Sequence, residues 1–110
     1  MRFVISVTLQ LDGDGCLRRL QSLGHADGRK DASLVCAAAT ALLRTTSRVL
    51  GDHASIVISG RAPAEGALEI SVEQYGVHDG AYLLGVTDVL VRGLEDLSRD
   101  EPAQVQINWA

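Results

Sequence analysis

The first part of the chain alternates between apolar and polar residues. Apolar side chains occupy every second position: Phe3, Ile5, Val7, Leu9 and Leu11. A period of two is typical of a β-strand with one buried face. The sequence Asp12-Gly13-Asp14-Gly15 then predicts a tight turn. Leu17 to Leu23 predict the returning strand, although their alternation is imperfect.

A change of pattern after this hairpin indicates a helix. A polar loop from His25 to about Asp31 is followed by an alanine-rich segment. We predict a helix over roughly Leu34 to Leu50 that ends at Gly51. Its apolar residues lie on most of its circumference, so we expect it to be largely covered.

Three further strands and a second helix are predicted downstream. We expect strands at Ser55–Ser59, around Leu68–Glu73 and at Val105–Trp109, and a helix over about Ala81–Ser98. Within that helix, Gly85 and Gly93 cost helix propensity, and we expect them to let the two helices approach closely. A connecting turn runs from Tyr75 to Gly80.

The element order is ββαββαβ, which favours an α+β fold: a mainly antiparallel sheet with both helices packed on one face. The 110 residues fit a single domain over 1–110. Aromatic residues make up only 4% of the chain, so Ala, Val, Ile and Leu must fill the core.

Charge and hydropathy exclude several function classes. The formal net charge of −4 argues against a nucleic-acid binder, which needs a concentrated basic surface. No stretch is long and apolar enough to cross a bilayer, and the alternating N-terminus does not resemble a signal peptide. We therefore expect a cytoplasmic protein, with no membrane partner and with its two cysteines as free thiols. Without a CxxC pair, a structural metal site has little support.

The segment from Ser22 to Leu43 carries the candidate chemistry. Ser33 is suited to cap the helix, and Cys36 three residues later would then lie in its first turn. Free N–H groups and the helix dipole favour a thiolate there, and a nearby imidazole such as His25 can share its proton. The same N–H groups could hold an oxyanion. Cysteine is also often a small buried core residue, and the alanines around Cys36 suit that reading as well.

These residues resemble a known family. Gly24-His25-Ala26, followed after a polar loop by Leu34-Val35-Cys36-Ala37-Ala38-Ala39-Thr40-Ala41-Leu42, is similar to the ribosomal-processing cysteine proteases of the Prp family. That family has a GHA motif and then a segment of the form D-I-V-C-A-A-x-S-A-L. The match is most specific over Gly24 to Leu42, while chain length and element order agree more loosely.

The resemblance implies a function and a site. It implies a cofactor-free cytoplasmic homodimer that removes an N-terminal extension from the precursor of the large-subunit ribosomal protein L-twenty-seven, cutting after an aromatic pair. Cys36 would be the nucleophile and His25 the general base, and Gly24 would permit the turn into the loop. Thr40 keeps the hydroxyl that the family has one turn after the cysteine. Where the family has Asp three residues before the cysteine, this chain has Ser33, so Asp31 or Asp27 would have to orient the imidazole.

Other interpretations remain open at this level. The chain could be a non-catalytic dimeric module that binds a ribosomal protein during assembly, its catalysis lost with the missing Asp, or a redox-sensing thiol protein. We expect Cys16 to be a half-exposed strand residue. His53 and His78 are interpreted as solvated loop residues rather than metal ligands.

Overall fold

A computed structural model describes residues 5–24, 30–63 and 66–110, and for residues 30–33 only the path of the backbone. Within these ranges the elements are β1 (Ile5–Leu11), β2 (Leu17–Leu23), α1 (Lys30–Asp52), β3 (Val57–Arg61), β4 (Ala67–Gln74), α2 (Gly80–Asp100) and β5 (Val105–Trp109). A single turn of 3-10 helix, Val77–Asp79, leads into α2. The predicted order ββαββαβ is confirmed.

The strands form one five-stranded sheet in the order β3-β4-β2-β1-β5. The pairs β1–β2, β2–β4 and β3–β4 are antiparallel, while β1 and β5 are parallel. The prediction of a mainly antiparallel sheet is therefore correct, and the exception is the strand that follows α2.

One face of the sheet carries both helices. The apolar positions of β1, Ile5, Val7 and Leu9, are at most 3% exposed and belong to the same cluster as the buried residues of α1 and α2. The intervening positions face away and pair with polar neighbours: Asn108 Nδ2 donates to Ser6 Oγ at 3.0 Å. This alternation explains why the period of two is so regular in β1.

The imperfect alternation of β2 has a structural cause. Gln10 pairs with Arg19 and Leu11 with Leu17, so Arg18 is an extra residue without a partner in β1. Such a β-bulge shifts the side-chain phase by one position. Because of it, Leu17 and Leu20 are both buried although they are three residues apart.

The helices approach closely at one of the two glycines singled out from the sequence. A Cβ atom built on Gly93 would lie 2.7 Å from Cδ2 of Leu42 in α1, so this position requires a glycine or a shift of that side chain. A Cβ on Gly85 would meet nothing within 4 Å. The prediction is thus confirmed for Gly93 and wrong for Gly85.

The boundaries of α1 and β3 differ from the predictions. Helix α1 begins at Lys30, inside the segment predicted as loop, and ends at Asp52 rather than before Gly51. Asp31 in the first turn suits a helix start, because the dipole favours negative charge there. Strand β3 begins at Val57. The side chain of Ile56, the residue just before the strand, is buried in the core.

Candidate active site

A groove between α1 and the ends of β2 and β4 contains Cys36. We call it the α1 groove. Its volume is about 560 Å³, within the range of small-ligand and peptide sites, and most of its lining is apolar. From the sheet side Ile5, Ser22 and Leu68 contribute to it. Cys36, which is half-buried, therefore borders a groove of a size that can hold part of a peptide.

Helix α1 supplies one wall through residues four apart. Cys36, Thr40, Arg44 and Arg48 all line the groove, as expected for side chains one helical turn apart. The adjacent stripe of the helix faces the core, where Val35, Ala39, Leu43 and Leu50 are at most 6% exposed. Cys36 lies at the border of the two stripes and is half-buried. Burial of the stripe thus fixes the direction of the groove-lining side chains.

Two glycines shape the opposite wall. The N–H of Gly24, at the end of β2, donates to the carbonyl of Gly66 at 2.9 Å, and both residues line the α1 groove. Gly24 has a φ of 115°, which an L side chain rarely adopts. A glycine is thus required where the chain leaves β2, as the sequence suggested.

The helix start corrects the predicted environment of Cys36. Because α1 begins at Lys30, Ser33 is its fourth residue and is not the N-cap. Cys36 is the seventh residue, in the second turn, so its amide is not among the four free N–H groups of the helix start. The error arose because the apolar pattern begins only at Leu34, whereas Lys, Asp and Ala extend the helix towards the N-terminus.

The remaining predicted site residues are placed only in part. Thr40 is exposed and lines the groove one turn after Cys36. Asp31 is the second residue of α1, and its side chain lies outside the description, as does that of Ser33. His25 itself, with Asp27, lies outside the described residues. The partnership between Cys36 and His25 therefore stays a prediction.

Cys16 is not the half-exposed strand residue that was expected. It is 2% exposed, and its thiol lies 3.6 Å from the carbonyl oxygen of Gly80, to which it donates. Burial raises its pKa, and the nearby carboxylates of Asp12 and Asp14 act in the same direction. The bulged hairpin turns this side chain inward, which the local sequence does not reveal.

The turn before Cys16 is held by Asp12. One carboxylate oxygen accepts from the N–H groups of Asp14 (2.9 Å) and Cys16 (3.0 Å), and the other accepts from the hydroxyl of Tyr75 at 2.6 Å. The bond from Tyr75 lowers the pKa of Asp12, and the same bond raises the pKa of Tyr75. The acidic turn is thus a structural hairpin, as the sequence indicated.

A Ser, a His and an Asp also meet at the far end of α1. Ser55 Oγ donates to Asp79 Oδ1 at 2.8 Å, and His53 Nδ1 lies 3.4 Å from that hydroxyl and 3.8 Å from the same carboxylate oxygen. The bond from Ser55 and that from the N–H of Gly76 lower the pKa of Asp79. A catalytic triad needs Ser and Asp on opposite ring nitrogens. Here both lie at Nδ1, so the cluster is structural.

The described residues contain neither a cluster of metal ligands nor a membrane-spanning helix. Within them, no group of three or more His, Cys, Asp or Glu side chains is arranged to hold a metal ion. None of the helices in those ranges is long and apolar enough to span a membrane.

Sequence reasoning missed part of the groove. Arg44, Ser47 and Arg48 were not identified, although their spacing from Cys36 and Thr40 is a readable helical signal. Ala62 and Gly66 were also missed, since they approach Cys36 only through pairing of β3 and β4 with the rest of the sheet.

Solved structures share this fold. The chain superposes on the ribosomal processing protease Prp from S. aureus, solved with a substrate peptide, with a TM-score of 0.80, 17% identity and coverage of 96% of this chain and 99% of that one. SMU.848 from Streptococcus mutans gives a TM-score of 0.82 at 20% identity, with 96% of each chain covered. At these identities the likeness shows the fold. No curated protein sequence matches significantly.

The family follows from the sequence itself. The family model described as cysteine protease Prp matches residues 4–106, nearly the whole chain. The chain belongs to this family and is a cysteine protease.

Proposed function

We propose that the protein is an endopeptidase that removes the N-terminal extension of a ribosomal protein precursor, that of the large-subunit protein L-twenty-seven, by cutting after a pair of aromatic residues. The observation that carries this proposal is the position of Cys36 in the α1 groove, half-buried and beside Thr40. The S. aureus neighbour that shares the fold is a ribosomal processing protease solved with a substrate peptide.

The groove suits an apolar peptide segment. Apolar atoms make up most of its lining, and burying an aromatic side chain against them is favourable by about 1.5–3 kcal/mol. Gly66 and Ala67 have little or no side chain, which leaves room for a peptide backbone beside Cys36. These features support recognition of bulky residues next to the scissile bond.

In the proposed reaction, the sulfur of Cys36 attacks the carbonyl carbon of the scissile bond. The C–S bond forms as the carbonyl π electrons move to oxygen, and the thiol proton passes to the imidazole of His25. On collapse, the C–N bond breaks and the leaving amine takes the proton from His25. Water then hydrolyses the thioester and restores the thiol.

His25 is proposed as the base because it is bonded to Gly24, which lines the groove that contains Cys36. The orienting group is proposed to be Asp31, in the first turn of α1 and five residues before Cys36. If His25 is not the base and Asp31 does not orient it, we expect the protein to bind its target without cleaving it.

We extend the proposal to a cytoplasmic homodimer. Val49, Tyr82 and Val89 are exposed and lie in one apolar depression between α1 and α2. Exposed apolar surface of this kind is typical of interaction sites. Light scattering on the purified protein at several concentrations measures the assembly state.

Incubation with a peptide that spans the aromatic pair, followed by mass spectrometry, tests the activity. We expect one cut after the pair, and a loss of about a thousandfold or more in rate for Cys36→Ser, because a hydroxyl is a far weaker nucleophile. Cys16→Ser is the matched control and should cleave normally. Binding of the peptide without any cleavage would support the module instead.

A further inference from the structure

The α1 groove is positively charged at one end, in a protein that is acidic as a whole. Arg44 and Arg48 line it, and none of the described residues that line it is acidic. The chain carries 10 basic and 14 acidic residues, for a net charge of −4. The two guanidinium groups are therefore a local exception to the charge of the surface.

Both arginines lack a carboxylate partner among the described residues. Three other arginines of the protein each form an ion pair: Arg61 with Glu69, Arg92 with Asp88 and Arg99 with Asp96. Arg44 and Arg48 are exposed, and the part of the chain that the structure describes offers them neither an ion pair nor a side-chain hydrogen bond. None of the described residues therefore competes with a ligand for their donors.

The two residues lie one helical turn apart, so their guanidinium groups can converge on one acidic segment. Along the helix axis, Arg44 lies about 12 Å and Arg48 about 18 Å from Cys36, at 1.5 Å per residue. An extended peptide advances about 3.3 Å per residue. The arginines, about 6 Å apart along the helix, therefore match side chains about four and six residues from the scissile bond, which lie on the same face of an extended peptide.

We propose that Arg44 and Arg48 select peptide substrates that carry acidic side chains about four and six residues from the bond that is cut. Guanidinium–carboxylate pairs are strong and directional, and the surrounding apolar lining reduces their screening by water. The apolar part of the groove then binds the bulky residues near Cys36, and the two arginines fix the register of the peptide. This inference rests on the proposed peptidase function.

Binding is measured with Cys36→Ala, which cannot turn the peptide over. The probes are fluorescein-labelled peptides of 14 residues with a central Phe-Phe-Ala and two Glu, Gln or Lys residues at the fourth and sixth positions from the scissile bond. One set places them before the scissile bond and the other after it. Fluorescence anisotropy gives the dissociation constants at low and at 0.5 M salt, where screening should weaken a charge-dependent preference.

We expect one of the two Glu peptides to bind about five- to thirtyfold more tightly than its Gln counterpart, the upper range for two exposed ion pairs. Adding Arg44→Gln and Arg48→Gln should abolish this preference. Adding Arg92→Gln, an exposed helical arginine that does not line the groove, should leave it intact. Adding Arg44→Glu and Arg48→Glu should reverse it in favour of the Lys peptide, which a misfolded protein could not do.

Equal binding of Glu and Gln peptides in both sets would overturn the inference, as would a preference that survives loss of both arginines. Tighter binding of a labelled RNA dodecamer than of any peptide would also overturn it. Cleavage of all peptides at one rate by the wild-type protein would overturn acidic selection and leave the peptidase intact. Arginine-dependent preference for Glu without cleavage by the wild type would support the selection and contradict the peptidase.

Discussion

The two cysteines of this protein occupy contrasting regions. Cys16 lies at the closed hairpin end, 2% exposed, with its thiol on the carbonyl of Gly80. Cys36 lies half-buried in the α1 groove, beside side chains that are open to solvent. The difference shows that the exposure of a thiol in this fold depends on helix register and strand pairing rather than on local sequence.

The hairpin end is also the more completely bonded region. Asp12 accepts three hydrogen bonds that tie the β1–β2 turn to itself and to Tyr75. Thr87 adds a link to α2, accepting from the N–H of Leu17 at 2.9 Å and donating to the carbonyl of Leu83 at 2.8 Å. Such bonding stabilises a fixed structure, whereas Arg44 and Arg48 in the groove form no side-chain hydrogen bond or ion pair with any described residue.

The largest effect is expected in thiol modification. In the folded protein at neutral pH, Cys36 should react with iodoacetamide at least about a hundredfold faster than Cys16, since Cys16 needs local opening and has a raised pKa. Mass spectrometry of peptides sampled over time gives both rates. Comparable rates in the folded state, with equal rates in denaturant, would remove the contrast between the regions.

Alanine substitution of the two cysteines should affect stability at Cys16 and activity at Cys36. Cys16→Ala leaves a cavity in the core and should lower the free energy of unfolding by about 1–2 kcal/mol while cleavage persists. Cys36→Ala should change stability by less than about 0.5 kcal/mol and abolish cleavage. Urea denaturation and peptide cleavage on the same samples measure both. A stability loss as large for Cys36→Ala as for Cys16→Ala would favour a core role for Cys36.

Acid should weaken the hydrogen bonding of the hairpin end. Because the pKa of Asp12 is lowered in the folded state, its contribution is present above the unfolded value of about 3.9 and is lost as pH falls through the folded value. Tyr75→Phe should therefore lower the melting temperature by a few degrees at pH 7 and have no effect near pH 2. Calorimetry across this range decides it. A difference that persists at pH 2 would mean that packing, not the hydrogen bond, is responsible.

The smallest effect concerns the start of α1. Since Ser33 lies in the first helical turn, Ser33→Asp should stabilise the protein by about 0.3–1 kcal/mol through the helix dipole. Thr45→Asp, in the middle of the same helix, is the matched control and should show no such gain. We also expect faster cleavage for Ser33→Asp, because a carboxylate there can orient His25. Slower cleavage, with Asp31→Ala unaffected, would mean that no carboxylate orients the imidazole.

Much of the fold was readable from the sequence because one face of the sheet is buried. In β1 and β4 every second residue enters the core, so a period of two is imposed directly on the chain. The bulge at Arg18 breaks that period in β2, and the register there could be found only from the pairing with β1.

The sequence indicated the site along the helix and at Gly24, but not elsewhere. Cys36 and Thr40 were identified through a motif and through helical spacing, while Ala62 and Gly66 enter the groove by long-range pairing that no local pattern encodes. The start of α1 was misplaced because Lys30, Asp31 and Ala32 have helix-compatible side chains but no apolar periodicity.

The central claim is that Cys36 is the nucleophile of the α1 groove, and covalent trapping tests it most directly. The probe is a peptide that ends in Phe-Phe with a chloromethyl ketone in place of the scissile bond, and peptide mapping locates the adduct. The account predicts one adduct per chain, on Cys36, whose formation is slowed by excess substrate peptide. An adduct on Cys16, or labelling of Cys36 that substrate does not slow, would contradict it.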